Sequence, residues 1–329
     1  MKKRMLKIGL GLVFLLVLAL GVETAATILY PMNDITKNWF HFYRQEKNSI
    51  DLMIMGSSHA YSSFDPALFE EETGKKTYIL ASNSQNITQT YYNLKEVLKY
   101  QNPETVLVEA FGIDNNNNWQ NTSDESFDKN WKKESNIDGM RWGLEKIEAI
   151  CNQYTFADWP YAALKISRTH QNWTSVEQIT ANYDFYRQGF AEFSCFHPSE
   201  SSMSEEVQEQ YKNMKVQKAE FQISEGNREH FHKLAGLCRE HGITLYLVMA
   251  PLYDEYVKNV NYESRYQLLS SLAEEENVEY LDCNYYYDEI GLRAEDFEDL
   301  YSSYHHLNRD GAEKVSEFLL RGWYEKDNM

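Results

Sequence analysis

The chain has 329 residues, 43% of them hydrophobic, with a formal net charge of −18. That is enough apolar material for a sizeable core, and the charge argues against nucleic acid, since a polyanion would meet a repulsive field. The first 30 residues hold four basic residues and one acid, so the remainder sets 28 basic against 49 acidic residues, a net −21; a domain so acidic does not adhere to anionic lipid without a tether.

The predicted elements begin with that tether. Ile8 to Val22 is an uninterrupted apolar run, which Glu23 breaks and TAATILY extends to Tyr30. Together they are long enough to cross a bilayer. Lys2, Lys3, Arg4 and Lys7 come first, so the positive-inside rule puts the N-terminus in the cytoplasm and the bulk outside. A cleaved signal peptide competes, with Thr24-Ala25-Ala26 as a mediocre cleavage site, and both readings export the domain. Residues 1–30 are thus a basic stub and anchor, and residues 31–48, polar and dotted with aromatics, read as a stalk.

A β/α rhythm follows. Ile50–Met55, Thr77–Ala81 and Thr105–Phe111 read as buried strands, with a short helix at Pro66–Glu72 closed by Gly74 and an amphipathic helix at Gln89–Tyr100. The rhythm lapses over residues 113–222, which begin with asparagines and carry five of the seven tryptophans (Trp119, Trp131, Trp142, Trp159, Trp173). A structureless loop of that length is implausible inside a domain, so the segment reads as a mostly helical insertion. The rhythm resumes with helix Glu225–His241, strand Ile243–Ala250, helix Ser264–Glu276, strand Val278–Asp282 and helix Asp310–Tyr324. Residues 49–112 and 223–329 therefore predict one α/β domain, a parallel sheet of about five strands wrapped on both faces.

Four cysteines without a CxxC pair (Cys151, Cys195, Cys238, Cys283) do not suggest a thiolate metal site. Cys238 and Cys283 read as small buried thiols, and Cys151 with Cys195 is a candidate bridge. His230 and His232, two apart on a helix, point away from each other and read as solvated. His170 and Trp173 could face a cleft or pack inside the insertion, and Tyr285, Tyr286 and Tyr287 read as loop packing.

In open α/β sheets, sites form beyond the carboxyl ends of strands. The first strand runs into Gly56-Ser57-Ser58-His59, where a serine would sit near a helix N-terminus whose N–H groups can hold an oxyanion. The loop before the last helix carries His305-His306-Leu307-Asn308, and a histidine there could serve as general base. Gly-Ser-Ser-His alone is ordinary turn chemistry.

Together, GSSHAYSSFDP and HHLNRDGAEKVSEF resemble the nucleophile and terminal blocks of the SGNH/GDSL hydrolase superfamily. The exit of the second strand, ILASNSQNITQTYYNLKEVLK, and MAP at residues 249–251 are similar to membrane-anchored members of Gram-positive bacteria, related in layout to the DltD branch. The resemblance spans roughly residues 45–112 and 223–324. It implies a flavodoxin-like three-layer fold, Ser58 as nucleophile and His306 as base; His59, which follows the nucleophile as in many similar sequences, is a candidate oxyanion or substrate contact or a packing residue of the turn.

The resemblance also implies an aspartate three residues before the base, where this chain has Ser303; Asp299, four residues further back, could substitute, or a backbone carbonyl could orient the ring instead. Asn83 and Gln85 are the candidate amide donors to an oxyanion, with Asn115 in reserve. The function implied is an extracytoplasmic esterase or O-acyltransferase at the cell membrane. It would act on a cell-envelope glycopolymer such as a teichoic acid or polysaccharide, with a membrane-bound O-acyltransferase as candidate partner and without metal or organic cofactor. The rival is an inactive scaffold of the same fold that binds a polymer or an acyl-transfer partner.

Overall fold

Five short apolar runs become five parallel strands: β1 Leu52–Gly56, β2 Thr77–Ala81, β3 Thr105–Glu109, β4 Thr244–Met249 and β5 Glu279–Asp282. This computed structural model describes residues 2–30, 34–113, 136–187, 195–301 and 305–324. The strand order is β2-β1-β3-β4-β5, with in-register pairs such as Ile54 with Ile79 and with Leu107. From β1 the chain moves outward to β2 on one side and then crosses to β3 on the other, so the switch point lies between β1 and β3, at the carboxyl ends of the strands.

Both sheet faces are covered, which explains why the strands are nearly unbroken hydrophobic runs. Side chains alternate across the sheet. Met53, Met55, Val106, Val108 and Leu247 pack with helices of one layer, among them α5 (Ile87–Val97), α11 (Glu225–His241) and α12 (Tyr262–Glu275). Leu52, Ile54, Leu107 and Val248 pack with α3 (Ser58–Ser63), α4 (Pro66–Thr73) and α13 (Arg309–Leu319) on the other.

The apolar N-terminal run is one helix, α1 (Lys2–Leu29), with mean hydropathy 2.5 and its most apolar window wholly exposed; it is long and apolar enough to span a membrane. The residues expected as a stalk fold differently. Asp34–Phe42 forms a helix, α2, which buries Ile35, Trp39 and Phe42 in the core. Their spacing of four and three residues makes an apolar stripe on a helix. Asn38 donates to the Ile79 carbonyl at 3.0 Å, so α2 is stitched to β2 rather than leading up to the fold.

The described part of the insertion is mainly helical and does three things. Helix α6 (Leu144–Gln153) lies along α5, where Gln153 Nε2 donates to Gln89 Oε1 at 2.7 Å. Helices α7 (Trp159–Ala163), α8 (Lys165–Thr169) and α9 (Val176–Arg187) follow, of which α8 and α9 pack against the end of α1. Helix α10 (Glu205–Lys212) returns to the domain and buries Tyr211 against Tyr253 and His305. Asn115, Trp119 and Trp131 lie outside the described residues.

All four cysteines are free. The candidate bridge does not form, because Cys151 is exposed while the buried Cys195 thiol sits 3.6 Å from the Ala81 carbonyl. Cys238 and Cys283 are buried thiols, and burial pushes the Cys238 thiol up to about 12. His230 is not solvated: it is buried against Tyr91 and Tyr92 with Nδ1 2.7 Å from the Gly226 carbonyl. His232 is half-buried beside Glu275 and Glu276, pointing away from His230.

Candidate active site

Gly56 ends β1 with φ 147°, a backbone conformation that L side chains rarely adopt. A Cβ there would lie 2.7 Å from Glu109 Cβ, so the close approach of β1 and β3 requires glycine. The chain then turns into α3 with Ser57 as its N-cap, its hydroxyl accepting from the His59 N–H at 3.3 Å. Ser58 is the first residue of that helix. Its N–H belongs to the first turn, whose N–H groups have no intrahelical partner.

The floor beneath this turn is a buried carboxylate. Glu109 closes β3, accepts the Ser57 hydroxyl at 2.7 Å and the Phe111 N–H at 2.8 Å, and is 1% exposed. Burial pushes its pKa up to about 7, against the opposing pull of those hydrogen bonds.

His306 approaches from the other side. Its Nε2 lies 2.8 Å from Ser58 Oγ, so with the proton on Nδ1 the ring accepts the serine hydroxyl, as a general base must. The acid behind the ring is Glu298, whose Oε1 stands 2.9 Å from Nδ1. The contact is at ion-pair distance without in-line hydrogen-bond alignment, and that oxygen has no hydrogen-bond partner among the described residues.

The pairing of Glu298 with His306 follows from backbone geometry. Phe297 and Leu307 form an antiparallel bridge, and the Glu298 N–H donates to the His306 carbonyl at 3.0 Å. Directly opposed residues share a face, while neighbours along the chain alternate. Phe297 and Leu307 accordingly bury themselves, and Glu298 and His306 meet on the other side. Asp299 faces away and instead accepts the Ser204 N–H at 2.8 Å; hydrogen bonds from the Ser204 side chain and then its backbone lower its pKa. Asp299 is therefore not the orienting acid, and Ser303 lies outside the described residues. Asn308 fixes this bridge to α13: its carbonyl oxygen caps the Gly311 N–H at 3.1 Å and its amide donates to Glu295 O at 2.6 Å.

The remaining candidates divide. Asn83, in the turn after β2, has its side-chain oxygen held by the Tyr61 hydroxyl, which leaves its NH₂ as a donor. Tyr61 also packs near His306, ring centroids 6.4 Å apart. Gln85 is buried and its amide is engaged inside, donating to Thr90 at 2.9 Å and accepting from Ser82 and Asn93. His59 is buried, stacked on Phe111 at 3.9 Å between centroids and edge-on to His306 at 4.9 Å. It backs the His306 ring from a buried position. His305 is also buried, against Tyr256 and Tyr211, and burial lowers its pKa to about 3.

Several expected positions lie elsewhere. His170 and Trp173 are exposed on the insertion, neither in a cleft nor in its interior. Tyr286 packs on Phe318 and Tyr287 on Phe297. A cavity of about 760 Å³ lies at the amino ends of β3 to β5, lined by residues including Thr105, Thr244 and Glu279, with no serine or histidine. It sits at the opposite end of the sheet from Ser58. No group of three or more His, Cys, Asp or Glu able to hold a metal occurs among the described residues.

No protein-family model matches this chain, and a comparison with curated proteins finds no match.

Proposed function

We propose that this protein is a serine-dependent acyl-ester enzyme. What supports the reading is the array Ser58 Oγ, His306 and Glu298 at 2.8 and 2.9 Å on the carboxyl edge of a parallel sheet. Ser58 attacks the acyl carbonyl and passes its proton to His306 Nε2, while Glu298 stabilises the imidazolium. The Ser58 N–H and the Asn83 amide hold the oxyanion. Collapse expels the alcohol, which takes the proton from His306. The acyl-serine is then attacked by water or by an acceptor hydroxyl that loses its proton to the same nitrogen.

More particularly, we read the chain as an SGNH/GDSL-type esterase or O-acyltransferase, anchored by α1 with its N-terminus in the cytoplasm and its domain outside. Its substrate is a cell-envelope glycopolymer, and a membrane-bound O-acyltransferase is the partner such a role invites. The anchor would hold the enzyme near a lipid-linked or wall-bound acceptor and raise the effective concentration. The inactive-scaffold reading drew on a missing acid; Glu298 Oε1 at 2.9 Å from His306 Nδ1 supports the enzyme reading over it.

The test is turnover of a simple acyl ester by the full-length chain in membranes, with Ser58→Ala alongside. The proposal expects turnover that Ser58→Ala abolishes. Turnover unaffected by Ser58→Ala, or none even with membranes and envelope polymer supplied, overturns it.

A further inference from the structure

Glu23 sets the level of the membrane relative to the domain. Crossing a hydrocarbon core about 30 Å thick takes about 20 helical residues at roughly 1.5 Å each. Counted from Ile8, just after the last of the basic residues, that reaches Thr27. Glu23 then falls about four residues, roughly 6 Å, inside the outer boundary. An acid at that depth requires a partner. It has one on the insertion, where Lys165 Nζ lies 2.9 Å from Glu23 Oε1. Helix α8, which Lys165 opens, is thereby drawn down to the level of the outer headgroups.

Two further contacts fix the same segment to the end of the anchor. Asn172 Nδ2 donates to the Leu29 carbonyl at 3.0 Å, and Asn182 Nδ2 donates to Ile28 at 2.9 Å and also to Tyr30. These are the carbonyls that a helix leaves unsatisfied at its C-terminus. Among the exposed side chains of this segment are four large apolar ones, Leu164, Trp173, Val176 and Tyr183, the last three between 63% and 74% accessible. Val176 and Tyr183, seven residues apart, share a face of α9 that Asn182 does not. In water such a group is a liability. Beside a membrane-spanning helix it is suited to the interface, where tryptophan and tyrosine concentrate.

The geometry points to a second, peripheral membrane contact. We propose that α8, the turn 170–174 and α9 lie in the outer headgroup layer of a phospholipid bilayer, beside the anchor. This rests on reading α1 as a membrane span. The contact is apolar, since the exported part of the chain carries a net −21, and so it does not depend on anionic lipid.

It is also linked to the active site. Arg168 of α8 holds both carboxylate oxygens of Asp138, at 2.5 and 2.6 Å. Asn136, two residues earlier, donates to Ser82, the neighbour of Asn83. The edge of the sheet that carries Ser58 is thus tied to the lipid surface, which fits a substrate delivered from the membrane.

The test uses the full-length chain in phosphatidylcholine vesicles with and without bromine on the acyl chains, reading quenching of tryptophan emission. Trp173→Phe, at an exposed position, is expected to lose a large part of that quenching. Lys165→Ala, which releases α8, is expected to lose some of it too. Flotation with vesicles reports the anchor separately. A chain that does not float refutes the membrane span itself. A chain that floats while Trp173→Phe leaves quenching unchanged overturns the peripheral contact. Cross-linking of two copies through Trp173 with unchanged quenching assigns the face to a second copy, and overturns it likewise.

Discussion

Glu298→Gln isolates the acid from everything else in the site. The substitution keeps size and shape, and Glu298 Oε1, which stands 2.9 Å from His306 Nδ1, has no hydrogen-bond partner among the described residues, so little else changes. A glutamine amide can present N–H to Nδ1, which favours the wrong tautomer and puts a proton on the nitrogen that must accept from Ser58. Loss of an orienting acid in a Ser-His-acid array costs on the order of 10²–10⁴ in rate, or about 3–5 kcal/mol of transition-state stabilisation. The expected signature is a fall in kcat of that size with KM unchanged, read as release of a chromogenic alcohol from an acyl ester. Asp299→Asn is the internal control, because Asp299 faces away from the ring toward Ser204; it should leave kcat unaltered. Undiminished kcat in Glu298→Gln, or an equal loss in Asp299→Asn, refutes the reasoning.

Two other outcomes follow from the turn beneath Ser58. Glu109 has its folded pKa raised from 4.5 to about 7, so the stability it contributes is fully present below about pH 4.5 and is lost as pH rises through about 7, some 3 kcal/mol in all. Unfolding followed from pH 4.5 to 8 should show a slope that Glu109→Gln flattens; an identical slope in the variant contradicts the burial argument. Gly56→Ala places a Cβ 2.7 Å from Glu109 Cβ at φ 147°, and should cost more than about 2 kcal/mol in chemical denaturation and abolish ester turnover. A variant of native stability and activity would show that β1 and β3 can separate without harm.

The strands were legible because burial on both faces leaves a strong mark, runs such as LMIMG and TVLVE bounded by turn residues. Ser58 and His306 were legible for a related reason: each follows directly on an element whose end the sequence marks, the first by Gly56 and the second by the Asn308 cap. Glu298 was not. Its partnership with His306 passes through one antiparallel bridge between Phe297 and Leu307, ten positions apart in the chain, and no local spacing encodes that register. An aspartate three residues away is a local pattern, which points to Ser303 and then to Asp299, one residue from Glu298 and on the opposite face. The alternation of buried Phe297 with its neighbours was the signal available. Similarly, Ile35, Trp39 and Phe42 carry a helical stripe that was passed over in favour of their polar surroundings. His230 shares a buried helix face with Asn227 and Leu234, spaced three and four residues away. Gln85 and Asn83 differ by burial alone, a tertiary property that neither turn chemistry nor composition reveals.

The central claim is that Ser58 is a nucleophile activated by His306. It is tested most directly by exposing the full-length chain in membranes to a fluorophosphonate and mapping the adduct by mass spectrometry. The expected result is a single modification on Ser58 whose rate falls by about 10²-fold or more in His306→Ala. Ser58 left unmodified, or labelled equally fast without His306, would contradict the claim.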